Sequence, residues 1–193
     1  MPFNYNPDKD IPDLTGKVIL VTGGTAGVGK ETITQLSKHN PKHIYFTGRN
    51  TLSATSLITS LSLSSSNLTY IPIDQTSLSS VSQSAKTFLS QSGNQLDILI
   101  CNAGAMAIPP NTSKDGYEIQ FAINHLAHAL LIKLCLPALQ KSAQEKGDAR
   151  IVLVTSLAFK NPPIGGIVFK DLKSSMEDTF GASITAFFFP FPL

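Results

Sequence analysis

The segment T-G-G-T-A-G-V-G, at residues 22–29, is a glycine-rich turn between a β-branched apolar run and a stretch with helical spacing. Because glycine has no Cβ, backbone N–H groups in such a turn can approach a pyrophosphate at the positive end of a helix dipole. The spacing Gly-x₃-Gly-x-Gly differs from the G-x-G-x-x-G of most dinucleotide-binding turns. With a strand before it and a helix after it, the segment predicts a dinucleotide site. The residues assigned to this turn are Gly23, Thr25, Gly27, Val28 and Gly29.

The residue that follows the second apolar run indicates which dinucleotide fits. An acidic residue about 20 positions beyond the glycines would bind the ribose hydroxyls of NAD. The sequence there is T-G-R-N, in which Arg49 is cationic and no carboxylate is near. An arginine can pair with the 2′-phosphate of NADP, so we expect NADP in preference to NAD. The alternative is a solvated surface arginine.

Polar and small residues also follow the later apolar runs. Asp74 would accept a hydrogen bond from an adenine amino group or cap the next helix, and Gln75 is assigned to the same site. The Asn-Ala-Gly sequence after the fourth run permits close approach of a cofactor, and its asparagine can fix neighbouring backbone. Ser156 ends the fifth run and places a hydroxyl at the same edge. The cofactor residues assigned here are Asp74, Gln75, Asn102, Ala103 and Gly104.

An alternation of strands and helices must position these residues. Apolar runs predict strands at 17–22, 43–48, 68–73, 96–104 and 150–156. Helical spacing predicts helices at 28–40, 51–63, 76–91 and 116–145, with Val28 and Leu52 on apolar faces and a kink at Pro137. The alternation predicts an α/β, doubly wound, Rossmann-like parallel sheet of about five strands in the order 3-2-1-4-5. Ligands bind such sheets at the carboxyl ends of the strands, where the motifs fall.

Composition excludes several other classes of protein. With 193 residues, 42% of them hydrophobic, and a net charge of +2, the chain suits one globular domain and gives no reason to expect nucleic acid as partner. We expect no signal peptide, and no membrane span, because no apolar run reaches the roughly 18 residues that a span needs. Cys101 and Cys135 lie in apolar runs, which predicts buried reduced thiols and no metal site. A cytoplasmic location is the expectation.

The motifs together resemble the short-chain dehydrogenase/reductase family. The resemblance rests on TGGTAGVG, CNAG, DGYEIQFAINHLAHALL and IVLVTS, and the helix motif is most similar to the retinol-dehydrogenase and WW-domain-oxidoreductase branch. Members of that branch act on carbonyls and alcohols of apolar substrates. The resemblance implies that the glycines and Asn-Ala-Gly bind NAD(P), that Asn124 supports a proton relay, and that Ser156 hydrogen-bonds the substrate oxygen. From its residue type alone, Asn124 can equally bond a buried backbone group. His125 and His128 beside it are interpreted as ordinary polar residues of the helix.

The same family carries a Tyr-x-x-x-Lys pair downstream of the serine. The lysine lowers the pKa of the tyrosine from its free value near 10, so that the phenol can donate a proton near pH 7. All four tyrosines of this chain precede Ser156. The last ten residues read ITAFFFPFPL, in which the prolines exclude a helix.

We therefore expect residues 1–183 to form an NAD(P)-binding Rossmann-like domain that lacks its C-terminal part. Residues 184–193 are expected to be a non-family tail, of the kind that a read-through splice tract or a shifted frame would encode. The fifth strand should then be an open edge. The long helix should expose the leucines of its partner-facing side, which are Leu130, Leu131, Leu134 and Leu136.

Two classes of function follow from these expectations. The first is an NADP-dependent oxidoreductase that reduces carbonyls or oxidises alcohols of a small-molecule substrate, impaired by the absence of Tyr-x-x-x-Lys. The alternative is a non-catalytic NADP-binding truncated isoform, or a faulty gene model. The substrate and the oligomeric state, including a homo-oligomer, stay open.

Overall fold

A parallel five-stranded sheet forms the centre of the structure. The computed structural model describes residues 4–61, 67–160 and 167–177. The strands lie in the order β3-β2-β1-β4-β5, and every neighbouring pair is parallel, which confirms the predicted doubly wound sheet. Leu20 lies between Tyr45 and Leu99 in the register, so the carboxyl ends of three strands meet at one edge. The strands are β1 (Val18–Val21), β2 (His43–Gly48), β3 (Leu68–Pro72), β4 (Ile98–Cys101) and β5 (Arg150–Leu153).

Helices connect the strands. The helix α4 begins where Ser77 accepts a hydrogen bond from the N–H of Ser80, and α6 continues through Pro137 and ends before Gly147, whose φ is 77°. A π turn at Ala122–Leu126 joins α5 to α6. The helices are α1 (Pro7–Asp10), α2 (Gly27–Leu36), α3 (Thr51–Leu61), α4 (Leu78–Gln91), α5 (Ile119–Phe121) and α6 (Ala127–Lys146). Short 3₁₀ turns lie at Ser37–His39, Leu157–Lys160 and Phe169–Asp171.

The core consists of two apolar clusters, one on each face of the sheet. Val18 and Leu20 of β1 belong to one cluster and Ile19 and Val21 to the other, as the alternation of side chains along a strand requires. All four side chains are at most 1% exposed. Burial of each stabilises the fold by about 1.5–3 kcal/mol. The first cluster also contains Val81, Phe88, Leu131 and Cys135, and the second contains Ile33, Phe46 and Leu57.

The continuous helical run Ile119–Lys146 is long and apolar enough to cross a membrane by length and composition. Its residues Leu131 and Cys135 lie in the core cluster that α4 also covers, so we interpret it as a core helix. The expected exposure of Leu131 is wrong, because this side chain is 2% exposed against that cluster. Leu136 is 39% exposed, as predicted, and Leu130 and Leu134 are partly buried.

Two apolar side chains lie outside the core that the periodicity predicts. Val28 and Leu52 are 67% and 82% exposed, so their assignment to buried faces is wrong. Each stands in the first turn of its helix. Val28 instead lies at the cleft described below.

The strand β5 is an edge of the sheet among the described residues, as predicted. All four of its residues are exposed, including Ile151 at 41%, Val152 at 42% and Leu153 at 63%. Exposed apolar strands of this kind are sites of association. The predicted tail at 184–193 lies outside the described residues.

An ion pair between a buried carboxylate and a partly exposed lysine joins α6 to the amino ends of β1 and β4. The carboxylate of Asp97 is 0% exposed, accepts from the N–H of Val18 at 2.7 Å, and lies 2.8 Å from Lys146 Nζ. Gln95 Nε2 donates to the same carboxylate at 3.0 Å. Burial raises the pKa of Asp97, but the hydrogen bonds from Lys146, Val18 and Gln95 outweigh it and hold the pKa below its ordinary value. The carboxylate is therefore charged in the folded state at neutral pH.

Candidate functional site

A cleft of about 500 Å³ opens at the carboxyl edge of the sheet. It lies where the winding direction reverses between β1 and β4, which is the predicted position. Ten of the eleven residues assigned to the cofactor line it, and the eleventh, Gly29, is buried. The lining residues that were predicted are Gly23, Thr25, Gly27, Val28, Arg49, Asp74, Gln75, Asn102, Ala103 and Gly104.

The glycine turn is shaped by close backbone contacts. A Cβ at Gly23 would lie 2.9 Å from Ala103 Cα, and Gly23 has a φ of 68°. A Cβ at Gly29 would lie 2.5 Å from Asn102 Nδ2 and collide with the carbonyl oxygen of Gly23. Gly29 is thus required because the first turn of α2 packs on the end of β4, and it supports the cleft without lining it.

The amino end of α2 suits an anion. Ala26 stands at the cap position and offers no side-chain hydrogen bond to the first N–H groups of this ten-residue helix. No acidic residue occupies its first turn. Uncapped N–H groups and the helix dipole together favour a phosphate at this end. The residues present therefore fit the pyrophosphate of a dinucleotide.

Thr22 was missed by the sequence analysis and holds the two sides of the cleft together. Its side chain is 0% exposed, and Oγ1 accepts from the N–H groups of Asn102 and Ala103 at 3.0 Å each. Asn102 Nδ2 donates to the carbonyl oxygens of Thr22 at 3.0 Å and of Gly23 at 3.3 Å. The prediction that Asn102 fixes neighbouring backbone is confirmed. Only its position directly before the glycines marks Thr22 in the sequence.

Arg49 and Asp74 lie at the far side of the cleft, after β2 and β3. Arg49 is exposed, and no carboxylate lies within 4.0 Å of its guanidinium in the described parts of the chain. Asp74 is paired with Lys114 at 2.8 Å and accepts from the N–H and hydroxyl of Thr76 at 3.0 and 2.7 Å. Burial raises the pKa of Asp74, but the bonds from Lys114 and Thr76 outweigh it and lower the pKa to about 2. The carboxylate is ionised, and Lys114 offsets its charge.

Asn124 stands in the π turn, with its side chain on the backbone of Ala105. Its Oδ1 accepts from the Ala105 N–H and its Nδ2 donates to the Ala105 carbonyl, both at 2.8 Å. Ser156 is exposed and lies two residues beyond Val154, which lines the cleft. Asn124 and Ser156 do not themselves line it.

His128 and Gln75 form a second polar group that the sequence analysis did not identify. Thr22 Oγ1 lies 2.9 Å from His128 Nε2, and Gln75 Nε2 lies 3.2 Å from the same nitrogen. His128, interpreted from the sequence as an ordinary polar residue of the helix, is buried, with 5% of its surface exposed. Burial lowers the pKa of His128.

Most of the chain is similar to known proteins. Residues 17–177 match a family model described as short chain dehydrogenase. An uncharacterized oxidoreductase of Schizosaccharomyces pombe is 40% identical over 168 residues, which are 85% of this chain and 49% of that protein. Human retinol dehydrogenase 12 is 36% identical over 170 residues, which are 87% of this chain and 51% of that protein. The chain thus spans about half the length of these relatives.

A solved structure has a similar fold. A blue fluorescent protein from a metagenomic library, solved in complex with NADPH, is 26% identical and superposes with a TM-score of 0.65. The match covers 90% of this chain and 65% of that chain.

Proposed function

The chain belongs to the short-chain dehydrogenase family of oxidoreductases, and we propose that its cleft binds NADP(H) in preference to NAD(H). The observation that carries the proposal is the pairing of an uncapped α2 N-terminus with an exposed Arg49 at the same cleft. The α2 N–H groups and the Gly23 turn would hold the pyrophosphate. A structural relative that binds NADPH supports the cofactor class. A bound nicotinamide supplies a hydride to the reaction.

Arg49 is proposed to pair with the 2′-phosphate that distinguishes NADP(H) from NAD(H). The guanidinium has no carboxylate partner among the described residues, whereas the nearby Asp74 carboxylate is paired with Lys114. An arginine forms charge-assisted, bidentate hydrogen bonds to phosphate, worth about 1.5–3 kcal/mol each. Because Lys114 offsets the charge of Asp74, the cationic Arg49 makes this side of the cleft favourable for a phosphate dianion.

The test is the affinity of Arg49→Gln for the two reduced dinucleotides, measured by NADPH and NADH fluorescence. We expect the variant to bind NADPH roughly ten- to hundred-fold more weakly and NADH with little change. Arg150→Gln is the matched control, because Arg150 stands at the opposite end of the sheet and contacts Asp148. Equal losses for NADPH and NADH, or a preference of the unaltered protein for NADH, would contradict the proposed role.

We propose that the whole protein transfers hydride between the nicotinamide and a small carbonyl or alcohol substrate. In this role Ser156 would hydrogen-bond the substrate oxygen, and Asn124 would hold the Ala105 backbone beside the cofactor. The four tyrosines of the 193-residue chain all precede Ser156. Loss of a general acid costs on the order of 10²–10⁴ in rate, so a polypeptide of residues 1–193 alone should turn over slowly.

The second candidate is a binding module without catalysis, for which the uncapped α2 N-terminus and the exposed Arg49 at the cleft would suffice. Purified protein with NADPH and a panel of aldehydes and ketones separates the two candidates. Turnover above background that Ser156→Ala abolishes supports the oxidoreductase. Enhanced NADPH fluorescence without turnover supports the binding module.

A further inference from the structure

His128 connects Thr22, which follows β1, to Gln75, which follows β3. It stands in the first turn of α6 and contacts three polar groups from three different parts of the chain. Nε2 lies 2.9 Å from Thr22 Oγ1 and 3.2 Å from Gln75 Nε2, and Nδ1 lies 3.0 Å from the carbonyl oxygen of Asn124. Both ring nitrogens are therefore used inside the protein.

Counting hydrogens at these contacts leaves one arrangement. Thr22 Oγ1 already accepts two N–H groups, from Asn102 and Ala103, so both lone pairs are used and its proton is directed to His128 Nε2. Gln75 Nε2 is an amide donor, since it also faces the carbonyl oxygen of Ile123 at 3.2 Å. Nε2 is therefore an acceptor, and the proton of a neutral imidazole lies on Nδ1. The Asn124 carbonyl accepts that proton.

These contacts close a ring of hydrogen bonds around the Asn-Ala-Gly turn. Thr22 holds the N–H groups of Asn102 and Ala103, and two residues later Ala105 holds the side chain of Asn124 through both of its backbone groups. His128 connects the Asn124 carbonyl back to Thr22. Asn124, in the π turn, takes part in the ring twice. Its side chain bonds the backbone of Ala105, and its carbonyl oxygen bonds His128.

We propose that His128 is a positioning residue for the cofactor site: as a neutral Nδ1–H imidazole, it orients the Thr22 hydroxyl and the Asn124 carbonyl, and so sets the geometry of the turn against the glycines. The inference rests on the proposed dinucleotide function for its binding consequence. The hydrogen-bond ring itself consists of residues of this chain alone. Burial, which lowers the pKa of His128, agrees with a neutral ring.

Nitrogen-15 NMR of the ligand-free protein tests the ring directly. We expect the His128 ring to report a protonated Nδ1 and an unprotonated Nε2 at neutral pH. Thr22→Val removes the hydroxyl while keeping the shape of the side chain, and should shift the Nε2 resonance, whereas Thr22→Ser should preserve it. A wild-type ring protonated at Nε2, or charged at neutral pH, would overturn the inference whether or not the protein binds a dinucleotide.

Three replacements of His128 then test the link to binding. Asparagine can reproduce the Nδ1–H donor and glutamine the Nε2 acceptor, whereas leucine reproduces neither. We expect His128→Leu to weaken NADPH binding roughly ten- to hundred-fold, and the asparagine and glutamine variants each to recover part of that loss. His125→Leu is the matched control, because His125 is exposed on the same helix and stacks on Phe121, and its affinity should stay within about twofold.

The outcomes separate the inference from the proposed function. If the unaltered protein shows the expected tautomer but binds neither NADPH nor NADH, the proposed function fails and the positioning role fails with it, while the ring stands. If the unaltered protein binds NADPH and folded His128→Leu binds it equally well, only the positioning role is refuted. Should His128→Leu fail to fold, the comparison of Thr22→Val with Thr22→Ser supplies the affinity test, with equal affinities refuting the role.

Discussion

Replacement of Asp97 should destabilise the fold in a graded and pH-dependent way. Asp97→Ala removes the carboxylate that accepts from the buried Val18 N–H at 2.7 Å, and loss of this bond costs about 1–3 kcal/mol. The lost bonds from Gln95 and Lys146 add about 1 kcal/mol together, since Lys146 is 31% exposed and its freed ammonium can reach water. We therefore expect Asp97→Ala to lower the free energy of unfolding by about 2–4 kcal/mol.

Asp97→Asn is the matched variant, because it keeps one oxygen for the Val18 N–H while it removes the charge and replaces the oxygen that faces Lys146 by an amide donor. Its expected cost is about 1–2 kcal/mol. The free energy of unfolding is measured by urea denaturation, with equal m-values required for the comparison. Equal stabilities of Asp97→Ala and Asp97→Asn would refute the assignment of the larger cost to the Val18 N–H.

The pH dependence supplies an independent check. The folded pKa of Asp97 is lowered from its ordinary value of 3.8, so its contribution to stability is present above that value. The contribution is lost as the pH falls from about 5 through the folded pKa, because the carboxyl then binds a proton in both states. Asp97→Asn cannot titrate, so its stability should fall less steeply than that of the unaltered protein over this range. Parallel curves would show that the ion pair contributes nothing.

Two further predictions follow from the cleft and the sheet edge. Gly29→Ala should weaken NADPH binding at least about tenfold and lower the melting temperature, because the new Cβ would collide with the Gly23 carbonyl and lie 2.5 Å from Asn102 Nδ2. Fluorescence titration and thermal unfolding measure both effects, and an unchanged affinity would contradict the packing argument. Val152→Lys should reduce concentration-dependent self-association, measured by light scattering, because a charge on an exposed strand edge opposes pairing with a second chain. The control is Lys133→Met, a change at an exposed position of α6 away from the strand edge, which should leave self-association unreduced. If the unaltered protein is already monodisperse, the expectation is refuted.

The strand order and the position of the cleft could be predicted because both follow from local patterns. Each strand is a short apolar run bounded by turn residues, and right-handed crossovers leave few ways to arrange five such units. The glycines, Arg49 and Asn102 stand directly after those runs, so a parallel sheet brings them to one edge without further information. Exposure was harder to predict at helix ends, as Val28 and Leu52 demonstrate.

The sequence by itself determined the fold class, the family and the edge of the sheet where a dinucleotide would bind, since these depend on residue type and spacing along the chain. Only the tertiary structure decided which polar residues hold that edge in shape. Thr22 and His128 are 106 residues apart, and Asp97 meets Val18 across 79 residues. The residues next to a threonine or a histidine in an apolar run do not indicate which distant residue it will bond. Its role depends on burial, because a buried donor or acceptor is shielded from water and must bond another part of the chain.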